Sequence, residues 1–194
     1  MLADLSEEEW DTVIRVHLKG RLAPMRHAAA YWRTESKAGR EPAARVINTT
    51  SGAGLLGSIG QGNYSAAKAG IAAMTIVAAA EMARYGITVN AIAPAARTRM
   101  TQDAFAETMA KPDEGFDAMA PENVSPLVVW LGSAEAADVT GRVFEVEAGK
   151  VSVAEGWRHG PMIDKGARWA PTELGPVVAD LLARAIPPEP VYGA

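Results

Sequence analysis

The sequence predicts an α/β protein, the carboxyl-terminal part of a doubly wound parallel sheet with crossover helices. Three short segments rich in β-branched residues, 45–50, 87–92 and 142–146, alternate with two helical patterns, 64–85 and 121–131. The order strand, helix, strand, helix, strand is typical of a parallel sheet whose connections are helices. A chain of 194 residues with 48% hydrophobic and 22% charged residues has the composition of an ordinary folded domain.

The first element is a long helix whose start is marked in the sequence. Ser6 and Glu9 form a capping box, in which each side chain can satisfy a backbone N–H of the other residue. Apolar residues then recur at helical spacing, which predicts one helix over 7–36 or two helices that meet at Pro24. A Gly39/Pro42 break separates this helix from the strand predicted at 45–50.

A glycine-rich loop is predicted at 52–62, between that strand and the helix at 64–85. The helix is apolar or small around nearly its whole circumference, so it must be covered on more than one side. We expect one side to lie on the sheet and the other to meet a second copy of the chain. The expected assembly is a homodimer or homotetramer formed through helices 7–36 and 64–85.

The end of the chain is predicted to be a separate extension. Residues 1–150 carry the predicted sheet, whereas 151–194 are rich in proline and predict irregular structure with one short helix near 173–184.

Charge and cysteine usage exclude several classes of partner. The net charge is −4 and no dense basic run occurs, so we expect neither nucleic acid nor a membrane as a partner. Without cysteine, disulfides and thiolate-bound metals are excluded. His17, His27 and His159 are scattered, so no metal site is expected. No secretory signal pattern is visible, and a cytoplasmic location is expected.

Residues 52–57 match the pattern Gly-x-Gly-x-x-Gly that cradles the pyrophosphate of dinucleotides. That fingerprint opens a helix directly and is followed about 20 residues later by an acidic residue at the end of a second strand. Here six further loop residues intervene, and the nearest candidate, Glu81, lies inside the alanine-rich helix. We therefore interpret 52–57 as a flexible loop that lets the chain pass close to a ligand.

Tyr64, Lys68 and Ser51 form the constellation that indicates chemistry. Tyr64 and Lys68 are four residues apart, which places them on one face of the helix. Tyrosine is a poor acid or base at neutral pH, and a nearby ammonium group favours its phenolate. Ser51 lies at the carboxyl end of the strand predicted at 45–50. This is the edge where open α/β sheets bind ligands, and the Ser51 hydroxyl could hydrogen-bond a substrate oxygen. The alternative interpretation is a surface tyrosine beside a solvated lysine.

With these motifs in order, residues 6–150 resemble the short-chain dehydrogenase/reductase family. The family's order is a serine at a strand end, a glycine-rich segment, Tyr-x-x-x-Lys at 64–68 and Asn-x-x-x-Pro at 90–94. The resemblance implies a Rossmann-like fold and NAD or NADP as the cofactor. It implies Tyr64 as the general acid/base, Lys68 as the residue that activates it and holds the nicotinamide ribose, and Ser51 as the donor to the substrate oxygen. It places Pro94 and Thr98 beside the nicotinamide.

The sequence departs from the family pattern in three places. His17 stands where the family has a catalytic asparagine, and it either relays protons through a water or is a core histidine bonded to backbone. Ala95 replaces the usual glycine after Pro94, and the stretch to Thr98 is short. The family's amino-terminal glycine-rich turn is not in this sequence, so we expect the chain to be a fragment of a longer domain.

The chain also resembles one branch of the family, the dehydrogenase part of peroxisomal multifunctional β-oxidation enzymes of type 2 and bacterial hydroxysteroid dehydrogenases, in segments 16–20, 60–64, 98–101, 121–124 and 141–149. This similarity implies interconversion of a secondary alcohol and a ketone on a bulky apolar substrate, a 3-hydroxyacyl-CoA or a hydroxysteroid. Residues 100–120, which include Met100, Phe105 and Met109, are interpreted as an apolar lid or an ordinary surface helix. The alternative function is a non-catalytic, cofactor-free remnant or assembly subunit.

Overall fold

The computed structural model describes residues 1–102 and 106–193. The chain forms two compact units, one comprising Met1–Ala154 and Val191–Ala194 and the other Glu155–Pro190. The strand Lys150–Ala154 belongs to the first unit. The division of the sequence into 1–150 and 151–194 stays a prediction.

The first unit is built on a four-stranded sheet in the order β1-β2-β3-β4. Its strands are β1 (Arg45–Thr49), β2 (Thr88–Ala95), β3 (Val143–Glu147) and β4 (Lys150–Ala154). β2 lies parallel to both β1 and β3, which confirms the predicted α/β class and the parallel order.

Sequence reasoning missed the fourth strand. β4 pairs antiparallel with β3 through a two-residue hairpin, in which Glu147 opposes Lys150. The first loop residue, Ala148, has φ 53°, a conformation in which glycine or asparagine is usual. Because alanine gives no turn signal at this position, the sequence did not predict a hairpin here.

Helices occur at the positions that the sequence predicted, but their bounds differ and short additional helices are present. Seven α-helices and a π-helical segment occur in the described residues: α1 (Glu7–Val13), π (Ile14–Lys19), α2 (Gly20–Lys37), α3 (Gly52–Leu56), α4 (Gly62–Met82), α5 (Arg99–Gln102), α6 (Ser125–Gly132) and α7 (Leu174–Arg184). Short 3-10 turns precede α1, α6 and α7 and follow α4. The capping box of Ser6 and Glu9 at the start of α1 is confirmed.

Of the two alternatives predicted for the first helix, one continuous helix is confirmed and a break at Pro24 is not found. Helical structure runs on from Glu7 to Lys37 with Pro24 inside α2, and the irregularity is the π segment Ile14–Lys19. A proline ring crowds the carbonyl four residues earlier, here that of Gly20. The wider π turn ends at Lys19, directly before Gly20. The change from π-helix to α-helix therefore falls at the residue whose carbonyl the ring of Pro24 crowds.

Helices cover both faces of the sheet. Val89 and Ile92 on β2 are an odd number of residues apart and therefore point to opposite faces. Ile92 packs with Leu127 and Leu131 of α6, whereas Val89 lies in a cluster with Ala79 of α4. This arrangement is the doubly wound architecture that the sequence predicted.

The glycine-rich segment is not the flexible loop that we expected. Residues Gly52–Leu56 form α3, with Ser51 as N-cap and its side chain accepting from the N–H of Ala53. A Cβ on Gly54 would lie 2.5 Å from Cβ of Lys68, so this glycine allows α3 and α4 to touch. The glycine pattern therefore serves the contact between these two helices.

The helical segment Gly62–Tyr85 is long and apolar enough to cross a membrane when judged by length and composition alone. Core helices of soluble proteins pass the same test, and α4 buries Ala67, Ile71 and Thr75 in the first unit.

Candidate active site

The start of α4 holds Tyr64 in place. Asn63 accepts a hydrogen bond from the backbone N–H of Tyr64 at 2.8 Å. The side-chain amide of Asn63 also donates to the carbonyl of Glu9 at 3.2 Å, which ties this turn to α1. The orientation of Tyr64 therefore depends on two helices.

Lys68 is buried between α4 and the end of β1. Its side chain is only 5% exposed, and Nζ donates to the carbonyl of Thr49 at 3.0 Å. The hydroxyl of Thr50 donates to the backbone carbonyl of Lys68 at 2.7 Å. Burial, and then the positive charge of Arg21, lower the pKa of Lys68 to about 8. A surface lysine, as in the alternative interpretation, is thereby excluded.

Lys68 and His17 both lie close to the ring of Tyr64. Nζ of Lys68 is 5.4 Å from the centroid of the Tyr64 ring, and the imidazole of His17 meets the same ring edge-on with centroids 5.1 Å apart. His17 lies in the π segment, a feature that often occurs at functional sites. Burial, followed by the charges of Lys68 and Arg21, lowers the pKa of His17, so its imidazole is neutral at pH 7.

Ser51, Pro94 and Thr98 lie at the carboxyl edge of the parallel strands. Thr49 of β1 is in register with Ile92 of β2, and Ser51 and Pro94 each follow that pair by two residues. Beyond the strand, the exposed Thr98 donates its backbone N–H to the hydroxyl of Thr101 at 2.7 Å. The structure thus brings His17, Tyr64 and Lys68 into one cluster and places the other three at the sheet edge where ligands bind. The roles of all six residues stay predictions.

Four site features were missed by sequence reasoning. The carbonyl of Thr49 and the hydroxyl of Thr50 anchor Lys68, and Gly54 allows α3 to approach it. The run Thr49-Thr50-Ser51 was a signal, because polar residues at the end of a buried strand often face a site. A side chain from the far end of the sequence, Tyr192, also reaches the glycine that follows Ser51.

The segment interpreted as a lid is fastened to the strand end by Arg97. The backbone N–H of Arg97 donates to the carbonyl of Met119 at 2.7 Å. The guanidinium of Arg97 donates to the carbonyl of Met109 at 3.1 Å. Arg97 also forms an ion pair with Asp117, whose pKa is lowered by this hydrogen bond. Phe105 and the side chain of Met100, both part of the lid prediction, lie outside what the structure describes.

Comparison with known proteins shows the family. A family model described as short chain dehydrogenase matches residues 1–109, which is more than half of the chain. The chain belongs to the short chain dehydrogenase family. A short chain dehydrogenase from Mycobacterium avium, known from its crystal structure, is 72% identical to this chain, with a TM-score of 0.89 over 100% of this chain and 63% of that one.

Two curated relatives of this chain have more specific names. Hydroxyacyl-CoA dehydrogenase ChsB1 of Mycobacterium tuberculosis is 43% identical over 190 residues, which cover 94% of this chain and 59% of the relative. Peroxisomal multifunctional enzyme type 2 of Mus musculus is 37% identical over 145 residues, which cover 75% of this chain and 18% of the relative. The chain is therefore a member of the short chain dehydrogenase family with similarity to hydroxyacyl-CoA dehydrogenases, and it spans less than two thirds of the length of these proteins.

Proposed function

We propose that this dehydrogenase interconverts the secondary alcohol of a 3-hydroxyacyl-CoA and the corresponding ketone, with NAD(H) or NADP(H) as the cofactor. The cluster of Tyr64, buried Lys68 and His17 carries the proposal, because it sets a phenol beside an ammonium group at the ligand-binding edge of the sheet. The names of the curated relatives support the thioester substrate over the hydroxysteroid alternative. No comparison favours a non-catalytic assembly subunit.

The residues present fit the nicotinamide end of such a cofactor. Lys68 is fixed by one hydrogen bond to Thr49, and an ammonium group carries three N–H donors, so donors remain for ribose hydroxyls. Pro94 and Thr98 follow the adjacent strand at the same edge. When bound, the cofactor supplies a carbon that accepts or donates hydride.

The side chains of this chain orient the substrate oxygen and transfer the proton. The hydroxyl of Ser51 donates to the substrate oxygen and holds it toward Tyr64. The Tyr64 oxygen takes the proton of the alcohol as hydride leaves, and the charge of Lys68 beside the ring stabilises the negative charge on that oxygen. His17 is neutral and packs on the tyrosine ring, so it can pass a proton onward through a water.

A second copy of the chain is proposed to cover α2 and α4. The side chains of Ile76 and Val77 on α4 are 54% and 56% exposed, on a helix that is apolar or small around nearly its whole circumference. Tyr31 and Leu22 on α2 are also exposed. A homodimer or homotetramer through these helices would bury this surface.

Substitution of Tyr64 by phenylalanine tests the proposed function. The variant keeps the ring that contacts His17 and Lys68 but lacks the hydroxyl, so reduction of acetoacetyl-CoA should slow by about a hundredfold or more. The rate is followed by the absorbance of NADH or NADPH. The matched control is Tyr31→Phe on exposed α2, which should keep the rate of the unsubstituted protein. Full turnover by Tyr64→Phe contradicts the proposal.

A further inference from the structure

The last residues of the described chain return to the segment that follows Ser51. Tyr192 forms a parallel bridge with Ser58. Its N–H donates to the carbonyl of Gly57 at 3.2 Å, and its carbonyl accepts from the N–H of Ile59 at 3.0 Å. The backbone N–H and carbonyl of Tyr192 are thus both hydrogen-bonded within residues 57–59, and this pairing sets the position of its side chain.

The ring of Tyr192 lies against Gly52, directly beside the catalytic candidate Ser51. A Cβ on Gly52 would be 2.7 Å from the Tyr192 hydroxyl oxygen and 3.0 Å from the carbon that bears it. Gly52 therefore makes the space that the phenol fills. The chain places a second phenol, from a different part of the sequence than Tyr64, next to the residue expected to bind the substrate oxygen.

The hydroxyl of Tyr192 is suited to donate a hydrogen bond. Burial, and then the negative charges of Glu145 and Glu147, raise the pKa of Tyr192, so the phenol stays neutral across the physiological range. The side chain is nevertheless 48% exposed and is open to a ligand. None of the described residues hydrogen-bonds to this hydroxyl.

A 3-ketoacyl thioester differs from a simple ketone by one additional acceptor. Its thioester carbonyl is separated from the reacting carbonyl by a single methylene, so the two oxygens lie on neighbouring parts of the same short chain. If Ser51 and Tyr64 bind the oxygen of the reacting carbonyl, a hydrogen-bond donor beside Ser51 is placed to bind the oxygen of the thioester carbonyl. A site that hydrogen-bonds a substrate group selects against analogues that lack it.

We propose that Tyr192 is a specificity-determining residue whose hydroxyl donates to the thioester carbonyl of the substrate. The proposal rests on the proposed function, because it assumes reduction of a 3-ketoacyl thioester at Ser51 and Tyr64. The ring and the backbone of Tyr192 hold residues 57–59, whereas the hydroxyl recognises the substrate. These two roles can be separated, because phenylalanine keeps the first and removes the second.

The test compares two substrates that differ in one carbonyl, with the Tyr192→Phe variant of the purified protein. Acetoacetyl-CoA contains the thioester carbonyl, and S-(3-oxobutyl)-CoA is the thioether that lacks it but keeps the methyl ketone and the whole CoA. The kcat and KM of each are measured with NADH and NADPH. If the thioether turns over too slowly, its inhibition constant against acetoacetyl-CoA replaces these values. Tyr31→Phe is the control for loss of a phenol elsewhere.

We expect Tyr192→Phe to lower kcat/KM for acetoacetyl-CoA about tenfold, mainly through KM, as the loss of one hydrogen bond predicts. The value for the thioether should change less than about twofold, since it has no carbonyl for the hydroxyl to meet. An equal loss for both compounds indicates a structural role and overturns the inference, as does no loss for either. A protein without substitutions that reduces neither compound contradicts the proposed function itself, and the inference with it.

Discussion

At the scale of single residues, Lys68 shows how the fold prepares a polar side chain for chemistry. The spacing of Tyr64 and Lys68 in the sequence predicted a shared helix face, and the structure confirms that they are neighbours. The burial of Lys68 was not predictable from spacing, since it depends on Thr49 and Thr50 at the end of another element. Placing an ammonium group there opposes folding, because the charged form loses hydration.

The low pKa of Lys68 predicts how stability changes with pH. Its pKa falls from 10.5, the value of a fully hydrated lysine side chain, to about 8 in the folded protein, so the unfolded chain binds more protons between these values. The destabilisation is therefore complete below pH 8 and fades as pH rises toward 10.5. His17 also faces the cluster, but its lowered pKa lies below this window.

Replacement of Lys68 by methionine tests this linkage by urea denaturation at several pH values. Methionine carries no charge, so the difference in free energy of unfolding between variant and unsubstituted protein should be largest in favour of the variant near pH 7. It should shrink steadily between pH 8 and 10.5. A difference that does not vary with pH would contradict the assigned burial of the charge.

At the scale of elements, the contact between α3 and α4 positions the site. α3 directly follows Ser51 and α4 carries Tyr64 and Lys68, so their separation sets how the serine faces the phenol. Gly54 lies where the two helices touch, and a Cβ there would be 2.6 Å from the backbone carbon of Lys68. Backbone atoms cannot turn away as a flexible side chain can.

Alanine at Gly54 should therefore force the two helices apart. We expect a loss of about 1–3 kcal/mol in the free energy of unfolding, the range for overpacked contacts, together with slower reduction of acetoacetyl-CoA. The control is Gly132→Ala at the end of α6, where a Cβ meets nothing within 4 Å. That variant should be as stable as the unsubstituted protein or slightly more so, because alanine favours helix. Equal stability of the two variants would show that the helices can separate at no cost.

At the scale of the whole molecule, local sequence signals predicted the helices and strands, whereas contacts between residues far apart in the sequence could not be predicted. The capping box of Ser6 and the β-branched segments predicted helix and strands correctly, since each signal acts within a few residues. The hairpin at Ala148 and the π segment around His17 were missed, because the residues at neither position give a local signal for the conformation found there. The approach of Tyr192 to Gly52 joins residues far apart in the sequence, and no periodicity or motif reports such a contact.

The proposed assembly through α2 and α4 leads to a prediction about oligomeric mass. Ile76 is 54% exposed on a helix without a polar face, so a second copy would bury it. A carboxylate in an apolar interface is costly to desolvate, and Ile76→Glu should therefore convert the protein to smaller species in light scattering after size-exclusion chromatography. Leu182→Glu on α7, an equally drastic change of an exposed side chain outside both helices, should leave the mass unchanged. A protein that is monomeric without any substitution, or an Ile76→Glu variant of unaltered mass, would exclude this interface.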